Sequence, residues 1–204
     1  LQLLQENFPR GTSITLTPWD PQEIWTVLAA ALRRRPAVIS PFVTRPGETV
    51  PDRAALGLAP AEAAAAGVYL LRKPKGAGRG TVVLLESAVS FAFVEQALPL
   101  LEKEGLDPWV YSVASAELFD LLPAEEQEAI FPEERAMEAM GITGFTLPTL
   151  FRWVRSDLGR AHTLHPYRKG HYLGSGQGPM VLAEAGLDGA SQARAIKAYV
   201  EALG

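Results

Sequence analysis

The sequence predicts an α/β fold: an open, mostly parallel sheet with helices on both faces, preceded by a partial α/β unit. Two observations carry this. Short β-branched runs alternate with amphipathic stretches along the chain, and helix start and stop signals fall between the runs. A third observation sets the scale. With 204 residues the chain holds one large or two small domains at about 150 residues each.

The first strand is read at residues 13 to 17, Ser-Ile-Thr-Leu-Thr. Asp20 then stands as an N-cap, Pro21 at the first helical position and Glu23 two residues on, where a capping box places its acid. The helix runs to about Leu32 with Ile24, Val27, Leu28 and Ala31 on one face, Arg33 to Arg35 at its end and Pro36 as its stop. Residues 37 to 43 form the second strand. Strand, helix and strand in this span predict a parallel pair. Residues 45 to 60 are turn-rich. A short helix over 61–66 and a third strand over 68–73 close the first block, 1–73, and the glycine-rich run 74–80 is the linker.

The second block, 81–204, repeats the rhythm. Strands are expected at 81–85, 109–113, 136–140 and 161–164. Helices are expected at 87–104 with a kink at Pro99, at 116–122, from Pro123, at 146–155, at 179–185 and at 191–203.

Composition excludes several classes. Hydrophobic residues at 48% and charged residues at 21% are those of a globular chain. There is no cysteine, which removes disulfides and thiolate chemistry and makes a reducing, cytoplasmic location the expectation. A net charge of −4 argues against a nucleic-acid or anionic-membrane partner, and no apolar run is long enough to span a bilayer. The start at Leu1 lacks a basic region and an initiator Met, so a fragment or a cleaved product is expected rather than a signal peptide.

Candidate sites are few. Gly76 to Gly80 precedes a strand rather than a helix, so a linker is the better reading than a phosphate loop. Gly174, Ser175, Gly176 and Gly178 lead into a helix, where backbone amides form an anion-binding nest or a plain tight connection. His162, His165 and His171 lie among Arg160, Arg168 and Lys169 with no acid between them, which disfavours a metal. The pairs Glu125/Glu126 and Glu133/Glu134 read as solvated helix starts. Arg45 follows a parallel strand at the carboxyl edge of the sheet, where ligands collect and where a guanidinium suits a phosphate or carboxylate.

These segments resemble the transketolase family. Thr81-Val-Val-Leu-Leu-Glu-Ser-Ala-Val-Ser-Phe-Ala is similar to the strand and helix opening the family's C-terminal domain. Pro108-Trp-Val-Tyr-Ser-Val-Ala-Ser-Ala-Glu-Leu-Phe-Asp120 is similar to the following strand and turn. Met137-Glu-Ala139 and His171-Tyr-Leu-Gly-Ser-Gly-Gln-Gly-Pro-Met-Val-Leu-Ala-Glu-Ala-Gly186 match later segments. Ile14 to Glu23 and Phe42-Val-Thr-Arg45 resemble the end of the preceding pyrimidine-binding domain.

The resemblance implies the C-terminal part of an enzyme that uses thiamine diphosphate and a divalent metal to move a two-carbon ketol unit between sugar phosphates. It implies that the cofactor sits on an N-terminal remainder, that this chain alone holds none, and that the complete enzyme is a homodimer. It carries no catalytic residue and no metal ligand into this chain. Arg45 alone matches a functional position, a contact to the substrate phosphate. Pro46 stands where the family usually has Gln, which also admits a keto-acid acceptor. A separate C-terminal subunit of a keto-acid dehydrogenase-type enzyme and a stand-alone interaction or regulatory module are the alternatives.

Overall fold

A computed structural model describes residues 1–43 and 47–204. Helix α1 (Gln2–Glu6) leads into β1 (Ser13–Leu16), which pairs in parallel with β2 (Val38–Pro41) in the register Ser13 to Val38 and Leu16 to Pro41. Between them a 3₁₀ turn over Pro21–Glu23 runs into α2 (Ile24–Arg34). Asp20 is extended and caps this turn, its carboxylate accepting from Gln22 N at 2.7 Å. Arg35, at φ 52, ends α2, with Arg33 and Arg34 in the last turn. Val27 and Ala31 face inward as expected, whereas Ile24, on the first turn, is exposed.

The larger sheet has the order β3-β5-β4-β6. It comprises β3 (Val68–Arg72), β4 (Thr81–Leu85), β5 (Trp109–Val113) and β6 (Ala139–Thr143). Strand β4 runs parallel to both β5 and β6, and β3 runs antiparallel to β5. The sequence assigns the strand at 68–73 to the first block, yet β3 is hydrogen-bonded into the second block's sheet. The cause is local. Gly67, at φ 85, offers its carbonyl to Ala114 N and Ser115 N at 2.7 and 2.9 Å, and a Cβ there would lie 2.2 Å from Ser115 O. Only glycine admits that approach, and it clamps the start of β3 onto the end of β5.

Parallel strands are buried on both faces, and β4 follows that rule. Val82 and Leu84 face a layer with Val89, Phe93, Leu101 and Tyr199. Val83 and Leu85 face a second layer with Phe119, Phe131 and Trp153. The stretch from Ser87 is one helical rod: α3 (Ser87–Ala92), a π turn over Phe93–Ala97 and α4 (Leu98–Lys103). The expected disturbance at Pro99 takes this form. Pro99 has no N–H for the i→i−4 ladder, and in the widened turn just before it Leu98 N reaches Phe93 O, five residues back.

Further along, α5 (Ala116–Asp120) starts at Ser115, whose hydroxyl accepts from Leu118 N, and α6 (Ala124–Ile130) follows Pro123. The strand expected at 136–140 lies three residues later, as β6, because Pro132, Glu133 and Glu134 start a helix, α7 (Glu133–Met137), that takes up the first positions. Residues 146–155 form only a 3₁₀ turn, Leu147–Leu150, and further turns. The strand expected at 161–164 is instead α8 (Asp157–His162), capped by Ser156 accepting from Gly159 N. Leu164 keeps a single parallel bridge to Ile142. The chain ends in α9 (Gly178–Ala185) and α10 (Gly189–Ala202). Among the described residues no helix is long and apolar enough to cross a membrane.

A buried charge cluster joins the two sheets. Arg53 donates from Nε to Asp20 Oδ2 at 2.8 Å and from Nη2 to Glu23 Oε1 at 2.6 Å, and it also pairs with Asp20 through Nη2. Tyr69, on β3, donates its hydroxyl to Glu23 and accepts from Trp19 Nε1 at 3.0 Å. Glu23 Oε2 accepts from Trp19 N rather than closing a capping box on Asp20. Asp20, Glu23, Arg53 and Tyr69 are all less than a tenth exposed. Burial pushes the Glu23 carboxyl above its ordinary range, and Arg53 and Tyr69 oppose that shift.

Removing the guanidinium strands two buried carboxylates. Arg53→Met is expected to cost about 3–5 kcal/mol, with the deficit growing as pH rises and the carboxylates must ionise. Asp20→Ala costs less, because Glu23 still pairs Arg53; the loss of the cap sets its floor, at about 0.5–2 kcal/mol. Urea denaturation of both variants checks this. An Arg53→Met loss no larger than that of Asp20→Ala contradicts it.

Candidate functional site

From β4 the chain passes through α3 and α4 to β5 on one side of the sheet, then crosses to β6 on the other. Strand order reverses at β4, and open parallel sheets leave a crevice outside the carboxyl ends of the strands at such a point. Glu86 follows β4, and Gly144 and Phe145 follow β6. Phe42 and Val43, past β2, close one side, and Phe42 meets Phe145 edge to face with centroids 5.6 Å apart. Pro166, Leu173, Val181, Leu182, Ala185 and Leu187 close the other, around a cavity of about 350 Å³.

Glu86 is the one charged residue lining this cavity among the described residues. Its backbone lies at φ 102, ψ 147, a region that glycine occupies and side chains rarely do. Arg35, the other described non-glycine residue at positive φ, sits in the ordinary left-handed well at a helix end. The Glu86 carboxylate accepts from Ala88 N at 2.9 Å and Val89 N at 3.2 Å, capping α3. Its carbonyl accepts from Ser90 Oγ at 2.7 Å. Gly144 makes room for it, since a Cβ there would lie 2.6 Å from Glu86 Oε2. Burial pushes the carboxyl above the ordinary 4.5, and the two amides pull it partly back.

The residues expected from sequence fall elsewhere or outside. Arg45 lies outside the described residues. Gly174, Ser175, Gly176 and Gly178 are exposed and lead into α9, as expected. None of the three glycines has positive φ, so the run does not have the alternating left-handed geometry of an amide nest. It delivers Leu173 and Val181 to the crevice wall. The histidines do not converge: no group of three or more His, Cys, Asp or Glu among the described residues is placed to hold a metal, and His162 stacks obliquely on Tyr199. Glu133 pairs with Arg155 and Glu134 with Arg135 at the surface. Gly78 and Gly80 take positive φ in a loop that enters β4, with no helix behind it.

Glu86 itself was not legible as a site. It sits inside the Thr81 to Ala92 segment as one acid after an apolar strand, and nothing in the letters marks a positive φ.

No protein-family model matches the chain, and no curated protein matches it in sequence. Solved structures do. A transketolase from Pichia stipitis in complex with sedoheptulose 7-phosphate superposes with TM-score 0.69 at 20% identity, over 92% of this chain and 25% of that one. A transketolase from Leishmania mexicana gives 0.67 at 18%, over 93% and 25%. One from Campylobacter jejuni gives 0.61 at 19%, over 92% and 26%. The chain therefore has the fold of a stretch about a quarter of the length of these transketolases.

Two outcomes follow from the Glu86 geometry. Relieving the backbone strain contributes about 1–3 kcal/mol, against a few tenths for a cap exchanged to glycine and about 0.4–1 kcal/mol for glycine's unfolded-state freedom. Glu86→Gly is thus expected to hold or raise stability, by up to about 2 kcal/mol; a clear loss in urea denaturation makes Glu86 a purely structural cap. A carboxyl with a raised folded pKa contributes stability at low pH that is lost as pH rises through that value. The stability of Glu86→Gln relative to wild type is therefore expected to grow as pH rises above 4.5. A difference flat in pH would contradict the buried setting.

Proposed function

We propose that this chain is the C-terminal part of a transketolase-like, thiamine-diphosphate-dependent enzyme. In this reading residues 1–73 are the tail of a pyrimidine-binding-like unit whose last strand, β3, pairs into the sheet of the next domain, 74–80 are a linker and 81–204 are the C-terminal domain. The observation that carries it is the likeness over nine-tenths of this chain to a quarter of several transketolases. A second observation supports it. Strands β1 and β2 form a two-stranded parallel sheet, whereas parallel sheets are normally larger and covered on both faces. Beside it α2 leaves Trp25 77% and Leu32 59% exposed. An N-terminal remainder of the enzyme would complete and cover that unit, and a homodimer is the assembly that goes with it.

In this reading the cofactor is held by the N-terminal remainder and not by this chain. A magnesium-bound diphosphate needs oxygen ligands and a cradle of N–H donors at a helix N-terminus; no group of three or more His, Cys, Asp or Glu among the described residues is placed to hold a metal, and the left-handed glycines Gly78 and Gly80 enter a strand rather than a helix. The chain's part is assembly and substrate binding. Arg45, four residues along the chain from the end of the parallel strand β2, is assigned to the far end of an anionic substrate, which its guanidinium suits.

The test has two arms. Calorimetric titration of the 204-residue chain with thiamine diphosphate and magnesium is expected to show no binding at micromolar cofactor, and the complete enzyme is expected to transfer a ketol unit between sugar phosphates. In the complete enzyme Arg45→Ala lowers kcat/KM roughly 10- to 100-fold for phosphorylated substrates, with cofactor affinity unchanged, and Arg45→Lys recovers part. Saturable cofactor binding by the chain alone, or a complete enzyme without ketol transfer, overturns the reading.

A further inference from the structure

The crevice at the ends of β4 and β6 holds a carboxylate with acceptor capacity to spare. An ionised carboxylate has about four lone-pair directions. Ala88 N and Val89 N use two of those on Glu86. No charged side chain among the described residues contributes to its titration, so no counter-charge is supplied from within that set. The walls are apolar: Phe145, Leu173, Val181, Leu182 and Leu187. At about 350 Å³ the cavity is of the size that holds a small molecule.

The backbone strain adds an independent argument. Glu86 occupies a conformation in which glycine is relaxed and glutamate is not. Strain of this kind is held in place by the surrounding structure, and residues that bear it cluster at active sites and ligand clamps. Capping alone does not require it, because glycine also caps a helix at little cost. The turn after β6 contributes too: Gly144 leaves free the volume that Glu86 Oε2 needs.

An acceptor-only group in an apolar cavity selects its ligand by charge and by donor. An anion is repelled. A divalent metal is under-coordinated by a single carboxylate. A cationic nitrogen on an apolar body satisfies both the carboxylate and the walls. We propose that this crevice binds a small organic cation, an alkyl- or aryl-substituted ammonium or amidinium, with its N–H groups donating to Glu86 and its apolar part against Phe145, Val181 and Leu182. This goes beyond the cofactor reading and stands or falls separately from it.

The probe is benzamidine, with uncharged benzamide of nearly the same shape as its control, titrated into the 204-residue chain by calorimetry and by amide NMR. Benzamidine is expected to bind saturably and to shift the amide signals of Glu86, Gly144, Phe145 and Val181. Benzamide is expected to bind at least about tenfold more weakly, the scale of one charge-assisted hydrogen bond. Glu86→Gln is expected to cost the same factor while its melting temperature shows it folded. Gly144→Ala, whose new methyl intrudes on the carboxylate, weakens binding by a second route. Absence of saturable benzamidine binding, equal affinity for benzamide, or a folded Glu86→Gln that binds as wild type each overturns the proposal.

Discussion

The rest of this structure depends on a guanidinium buried between two carboxylates. Arg53 comes from the turn-rich segment after β2, Asp20 and Glu23 from the entrance to α2, and Tyr69 from β3 of the other sheet. Charges removed from water are tolerated only when their hydrogen bonds are met, so these three stretches have one mutual arrangement. Trp19 transmits it. Its indole N–H donates to Tyr69, its ring meets Phe91 edge to face at 5.2 Å, and its carbonyl accepts from Ser87 Oγ at 2.7 Å. Ser87 is the first residue of α3, so the cluster also fixes how the chain leaves β4, and with it the place of Glu86.

At Glu86 local and global demands conflict. A strand ending in Leu85 and a helix starting at Ser87 leave one residue to turn the chain, and the turn needs positive φ. Glycine is the relaxed choice, and the chain has glutamate. A strain of about 1–3 kcal/mol is a sizeable part of the 5–15 kcal/mol net stability of a typical domain, so the fully buried β4 and its two apolar layers have to outweigh it. The same strain aims the carboxylate into a crevice whose other walls, among the described residues, carry no charge.

The two sheets differ in how completely the described residues bury them. In the larger sheet, β4 has both faces covered and all five residues buried. In the smaller, β1 is buried, but β2 leaves Val38 43% exposed. Glu117 covers part of β1, its carboxylate accepting from Thr15 N and Thr15 Oγ1, and burial holds that carboxyl above its ordinary range.

Sequence alone determined the alternation of strands and helices, because periodicity, proline positions and polar caps act within a few residues. Asp20, Ser115 and Pro123 start their helical segments where the letters put them, and β4 and β5 match residue for residue. It misplaced β6 by three residues and made a strand of the last turn of α8, because the short runs 136–140 and 161–164 suit either state until neighbours choose. Only the tertiary structure decided that β3 joins the larger sheet, that Asp20 and Glu23 share Arg53 rather than facing water, and that Glu86 turns into the crevice. The first two rest on groups far apart in sequence meeting at hydrogen-bond distance, and the third on the space that Gly144, 58 residues away, leaves beside the carboxylate. A partner 30 to 50 residues away leaves no trace in local pattern, and a backbone forced to positive φ by its surroundings leaves none in the side chain that bears it.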